Sequence, residues 1–313
     1  MSIQLAYYLQ NLNEDAMIIT QNQIFSNIHP YSLLTAQQGY LYNSLSTRYD
    51  TYFAKLYYNA NQEAIHNIES IIKKHHLNCN FKQCDSTLYA DNFNDIKKLE
   101  NEYDCYRNLQ IPCNFYQSAN SNPYATLTMH YQASYHPIHY AQGLLSTIPN
   151  FPIYENCKIK DIKENENNYT VYCNGYTIQT DKIIFINPQS IDFINQLYQP
   201  YLIQQQFHIK NASDFAIPLN NKLSFYSPTQ QNYTLLTQTT FDQIPFVGKI
   251  YKDNENLLFV AGCSIWEPLL SCLSAKLLLS HILGKHNLYR FVFSPQRIDF
   301  CNQAFQQNNS ISL

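Results

Sequence analysis

Glycine is scarce in this chain: six residues in 313, against roughly 7% in an average protein. Few places therefore remain where bare backbone can turn tightly or lie directly on a ligand. Arginine is absent between Arg107 and Arg290, which removes the guanidinium fork from the middle of the chain. Charged residues make up only 14%, the net charge is −3 and the pI is near 6.3. No basic footprint exists, so nucleic acid is excluded as a partner. The nine cysteines include no CxxC pair, and no histidine completes a zinc or Rieske-type set. They read as reduced thiols, with no metal site. No apolar run reaches the ~18 residues of a membrane span. GxSxG and P-loop motifs are both missing, against a serine hydrolase or a phosphate-cradling loop. No basic leader opens the chain, and the expected location is cytoplasmic.

What is present has clear periodicity. Ile3, Leu5, Ala6, Tyr8 and Leu9 predict a short buried helix, and residues 16–19 a short apolar strand. Phe53, Leu56, Tyr57, Ala60, Ala64, Ile68, Ile71 and Ile72 recur every three or four residues and predict a long amphipathic helix. Ser46 or Thr47 is its expected cap, and His75 and His76 suit its end. Helices are also expected over 91–109, over 134–145 with Pro137 in the first turn, and over 269–283 before Gly284. Asn174-Gly175 separates two alternating runs and predicts a hairpin with a type I′ turn. Ile183 to Ile186 and Leu257 to Ala261 read as buried strands of a parallel sheet. His130, His136 and His139 cluster in sequence but are assigned to packing or surface, as are Lys210 and Lys222. Residues 306–313 are expected to fray.

Six phrases fall in an order that resembles a known family: "TAQQGYLYNSL" (35–45), "KLYYNANQEAIHNIESIIKKHHLNCNF" (55–81), "QASYHPIHYAQGL" (132–144), "IYENCKIKDI" (153–162), "FDQIPFVG" (241–248) and "NLLFVAGCSIWEP" (256–268). Together they resemble FAD-dependent oxidoreductases of the D-amino-acid oxidase and glycine oxidase superfamily. The bacterial branch that often carries a C-terminal Rieske domain is the most similar. The resemblance implies an α/β fold: a Rossmann-like FAD-binding domain with an inserted antiparallel α+β substrate-binding domain. The first would comprise 1–80, 135–192 and 244–300, and the second 81–134 and 193–243, with 301–313 as a tail. It further implies oxidation of a carbon–nitrogen bond of an amine or amino acid by hydride transfer to flavin. Cofactor contacts are expected at Thr35, Ala36, Ile159, Gly248, Gly262, Cys263 and Trp266. No catalytic residue is singled out.

The chain departs from the family pattern at several positions. In the resemblance, the first strand and two glycines of the GxGxxG turn lie before Met1, and Ser2 stands at the last glycine. Thr20 replaces the acidic residue that grips the ribose. Ile186-Asn187 replaces a small pair. Glu267 and Pro268 follow Trp266 where glycine is expected, and Cys272 stands near another glycine position. No Cys-x-His spacing for a Rieske cluster occurs. Two readings stay open: an FAD-dependent oxidoreductase with impaired catalysis, or a degenerate relative that keeps the scaffold alone. A chain starting at Met1 is also expected to have low stability.

Overall fold

The computed structural model describes all residues except 27–32, 91, 119–122, 188–191, 212–215, 219–221, 226–232 and 300–313, and the backbone alone over 206–236. The chain opens with α1 (Ser2–Asn11), then β1 (Ile18–Ile19) and β2 (Leu33–Leu34). The expected long helix is one element, α3 (Thr51–His75), and a separate short helix, α2 (Leu41–Arg48), precedes it. Ser46 and Thr47 lie inside α2, and the cap of α3 is Asp50, whose Oδ1 accepts from the Phe53 N–H at 2.6 Å. His76 closes α3 at φ 52.

Next come β3 (Lys82–Ala90), α4 (Phe93–Asn108), β4 (Cys113–Gln117) and β5 (Ala125–Ser134). In β5 the buried residues Ala125, Leu127 and Met129 alternate with half-buried ones, and in β3 Ser86, Leu88 and Ala90 do the same. β3, β4 and β2 all pair antiparallel with β5. The β3 register shifts between Cys84 and Ser86, and Tyr131 takes φ 62 on β5.

α5 (Pro137–Ser146), with Pro137 in its first turn, precedes β6 (Ile153–Tyr154), β7 (Ile159–Glu164), β8 (Tyr169–Cys173) and β9 (Tyr176–Thr180). The last two form the expected hairpin, with Asn174 at φ 42 and Gly175 at φ 86. Both residues need positive φ, as a type I′ turn requires. The expectation of unpaired thiols meets one close approach, between the Cys157 and Cys173 Sγ atoms at 3.1 Å.

β10 (Ile183–Ile186), α6 (Asp192–Tyr198) and the antiparallel pair of β11 (Leu202–Asn211) with β14 (Tyr233–Thr240) follow. Between those two, β12 (Ala216–Pro218) joins β3 and β13 (Lys222–Phe225) joins β11. The chain then forms β15 (Phe246–Lys249), β16 (Leu257–Ala261) and α7 (Glu267–Ile282), which ends before Gly284 at φ 62, and a last short helix, α8 (Arg290–Phe293). Residues 306–313 lie outside the described residues.

Two parallel ladders carry the nucleotide-type part of the fold. β1 pairs with β6, and β10 pairs with β16, whose other edge carries antiparallel β15. All five residues of β16 are buried. Leu258 and Val260 join the main core with α1, α3 and α7, while Leu257, Phe259 and Ala261 join a second core with Tyr198 and Phe246. Apolar layers on both faces explain the unbroken apolar run.

Candidate functional site

A cavity of about 860 Å³ opens between the two parallel ladders. Its wall takes Ile18, Ile19 and Thr20 from the end of β1, and residues 183–187 from β10 onward. The β7–β9 sheet contributes Ile159, Val171 and Ile178, and α1 contributes its first turn with Ala6 and Leu9. Thr20 and Asn187 directly follow the C-terminal ends of β1 and β10, the place where open α/β sheets bind ligands.

The first turn of α1 is the polar feature of this wall. Met1 caps it without a side-chain bond, and the first intrahelical bond runs from the Leu5 N–H to the Met1 carbonyl at 3.1 Å. The N–H groups of Ser2, Ile3 and Gln4 thus have no partner among the described residues. Three such donors at a helix N-terminus favour an anion. Gln4 adds to them. Its Oε1 accepts from the Tyr140 hydroxyl at 2.7 Å, while its buried Nε2 has no partner. Sequence reasoning passed over Gln4, although an isolated amide among the apolar residues of α1 was a visible signal.

Every position where the sequence departs from the family pattern reaches this cavity. Ser2, Thr20, Ile186, Asn187, Glu267, Pro268 and Cys272 all line it. The Thr20 N–H is taken by the Tyr154 carbonyl at 2.9 Å, and its Oγ1 accepts from the Asn22 N–H at 3.4 Å. Burial pushes the Cys272 thiol up to about 11, so it stays protonated at neutral pH. Glu14, Asp15, Asp181 and Glu267 line the wall together with Lys182, whose Nζ bonds Asn256 Oδ1 at 2.7 Å.

Among the expected cofactor contacts, Ile159 lines the cavity. The other six sit elsewhere in the fold. Thr35 and Ala36 are held in a buried polar network: Gln132 Oε1 accepts from Thr35 Oγ1 at 3.1 Å and from the Ala36 N–H at 2.8 Å. The Ala36 carbonyl accepts from the Tyr42 hydroxyl at 2.7 Å. Gly248 lies on β15 at φ 144, where a Cβ would stand 3.2 Å from His281 Nε2. Gly262 has φ 82, and a Cβ there would stand 2.6 Å from Thr240 Cγ2. Its close approach is to this chain's own β14. Cys263 is buried and bridges Thr239, and burial raises its thiol pKa. Trp266 is half-buried in the turn that leads into α7, and its neighbours Ser264, Ile265 and Glu267 line the cavity.

Shape and donors suit a dinucleotide. The volume lies within the ~300–1,000 Å³ of ligand sites, the walls mix apolar and polar surface, and the α1 donors with Gln4 Nε2 suit a pyrophosphate. The carboxylates oppose it.

No protein-family model matches the chain. A relative from Bacillus subtilis (strain 168), named as a Rieske 2Fe-2S iron–sulfur protein (YhfW), is 24% identical over 351 aligned residues. The match covers 94% of this chain and 69% of that one. Among solved structures, an L-amino acid deaminase from Proteus vulgaris superimposes with a TM-score of 0.70 at 11% identity, covering 93% of this chain and 90% of that one. Glycine oxidase from Geobacillus kaustophilus gives 0.69 at 12% identity, covering 93% and 94%. L-proline dehydrogenase from P. horikoshii gives 0.66 at 12%, covering 95% and 94%. At these identities the likeness is one of fold.

Proposed function

Because this chain has the fold of the D-amino-acid oxidase and glycine oxidase superfamily of FAD-dependent oxidoreductases, we propose that it is a flavoprotein-type oxidoreductase with impaired catalysis. The reaction class is oxidation of a carbon–nitrogen bond of a small amine or amino acid. The observation that carries this reading is the cavity at the C-terminal ends of β1 and β10, where the positions that depart from the family pattern meet the unpartnered donors of α1.

FAD would be held by the N–H groups of Ser2, Ile3 and Gln4, by Gln4 Nε2 and by the apolar wall of β1 and β10. Bound there, it would supply the hydride acceptor. This chain's residues orient and shield that group but hold it less firmly than the family pattern does. Thr20 offers a hydroxyl where a carboxylate would accept two strong bonds. Glu267 adds negative charge beside a group that itself gains negative charge on reduction.

The test is the visible spectrum of the purified protein, with FAD titrated into the colourless fraction. Flavin bands and a slow turnover of amines or amino acids would support the proposal. A folded protein that takes up no FAD at saturating concentration would overturn it. That outcome would favour the second reading, a scaffold without flavin. One observation speaks for the second reading: the glycine-dependent approach at Gly262 is filled by Thr240.

A further inference from the structure

We infer that Cys157 and Cys173 form a modification site, a thiol pair that a low-molecular-weight disulfide closes into a reversible cross-link. The two Sγ atoms lie 3.1 Å apart. A disulfide bond is about 2.05 Å long, so closure asks for about 1 Å of movement. Among the described residues no other thiol bonds a sulfur. Cys105 Sγ meets Ser46 Oγ at 3.2 Å, and Cys272 Sγ meets the Tyr8 hydroxyl at 3.7 Å. Turns on both sides bring the pair together. Cys173 ends β8 opposite Ile159 of β7, and the Asn174-Gly175 turn follows it. Cys157 lies two residues before Ile159, directly after Asn156 at φ 54. Asn174 Nδ2 donates to the Asn156 carbonyl at 2.9 Å, so the neighbour of one cysteine binds the neighbour of the other. The Cys157 N–H donates to the Thr20 carbonyl at 2.9 Å. Cys157 stands outside the β7 ladder, and its side chain can close the gap without breaking a ladder bond.

Exposure sets the order of attack. Cys157 is half-buried between the exposed Asn156 and Lys158, whereas Cys173 is 2% exposed. The hydrogen bond with Cys157, and then burial, push the Cys173 thiol up. Cys157 is therefore the attacking thiol and Cys173 the resolving one. Cys157 loses its proton to solvent, and its thiolate attacks one sulfur of the small disulfide. The reagent's sulfur–sulfur bond breaks, one thiolate leaves, and Cys157 carries a mixed disulfide. Cys173 then gives up its proton, and its thiolate attacks Cys157 Sγ and displaces the second thiolate. Two protons pass to the two leaving thiolates. The protein pair is oxidised by two electrons, and the small disulfide is reduced to two thiols.

The test treats the reduced, folded chain with oxidised glutathione, alkylates the remaining thiols and maps the peptides by mass spectrometry. Cleavage after Tyr154, Lys158 and Lys163 separates Cys157 from both Cys113 and Cys173. The Cys157–Cys173 link is expected to form about tenfold faster than any other link or adduct, and dithiothreitol should reverse it. Cys173→Ser should trap glutathione on Cys157, and Cys157→Ser should leave Cys173 unmodified. Where a variant fails to fold, the map of the unaltered chain decides alone. A glutathione adduct that persists on Cys157 beside an intact Cys173 would overturn the site. So would links through Cys84, Cys113 or Cys301 at a comparable rate, or no reaction at ~10 mM oxidised glutathione. An adduct on Cys173 in the Cys157→Ser chain would overturn the order of attack. Because the readout is a covalent link, a chain that binds no flavin still gives a decisive answer.

Discussion

Arg297 is 1% exposed yet carries a full charge. Its Nε and Nη2 grip Asp242 at 2.8 and 2.9 Å, its Nη1 donates to the Pro245, Phe293 and Ser294 carbonyls, and Phe246 lies 4.4 Å beneath the guanidinium. Burial alone would raise the Asp242 pKa. The Arg297 charge, with hydrogen bonds from Arg297, Tyr49 and Thr240, outweighs burial and holds it below the ordinary carboxylate value. This pair contributes stability above the unfolded carboxylate pKa and loses it as pH falls through the lower folded value. Arg297→Met leaves a buried unpaired carboxylate and is expected to cost about 3–5 kcal/mol in urea unfolding. The double variant Arg297→Met/Asp242→Leu should recover part of that loss.

Glu102 titrates in the opposite sense. It is fully buried, and its oxygens accept from the Tyr42 and Asn43 N–H groups at the start of α2, each at 2.9 Å. Burial raises its pKa to about 8, although those two bonds act to lower it. The folded state therefore holds the proton more tightly than the unfolded chain. Its contribution is full below pH 4.5 and is lost as pH rises towards 8. At ~1.4 kcal/mol per unit this is on the order of 5 kcal/mol. Glu102→Gln should flatten the dependence of Tm on pH between about 5 and 8, and an unchanged slope would exclude Glu102 as its source.

At the scale of elements, positive φ separates two uses of glycine. Gly175 makes a hairpin turn in open space, and nothing lies within 4 Å of its missing Cβ. Gly262 brings the end of β16 against β14, with Thr240 at 2.6 Å. Gly262→Ala combines a disfavoured backbone with a clash and should destabilise by at least ~2 kcal/mol. Gly175→Asn should cost under ~1 kcal/mol, because Asn tolerates that turn. Chemical denaturation of both variants checks the contrast.

These elements also show what periodicity can and cannot see. The hairpin, the buried strand β16 and the apolar strand β10 were legible because Asn-Gly chemistry and continuous apolar runs are local signals, although β10 buries only Phe185 fully. The cap at Asp50 was not, since Ser46 and Thr47 are equally good capping side chains a few residues upstream, and only the structure places them inside α2. The β3–β5 pairing escaped because a register shift at Cys84 and a positive φ at Tyr131 break the alternation.

For the whole molecule, the cavity between the ladders sets the expected behaviour. An open space walled by half-buried isoleucines lacks the packing of a closed core. The chain alone should bind a hydrophobic dye and melt below the ~45–65 °C typical of mesophile domains. A sharp melt within that range, without dye binding, would count against an open cavity. FAD that fills the space should raise the Tm as its concentration rises.

The sequence by itself determined the helices with their apolar stripes, the apolar strands and the resemblance in fold, because period, turn chemistry and ordered phrases are properties of neighbouring residues. It also marked Ser2, Thr20, Asn187, Glu267 and Cys272 as departures. Only the tertiary structure decided that these share one wall, that Thr35 and Ala36 are bound to Gln132, and that Gly262 serves Thr240. Each of those facts depends on which distant segments meet in space, and no local pattern in the chain encodes that meeting.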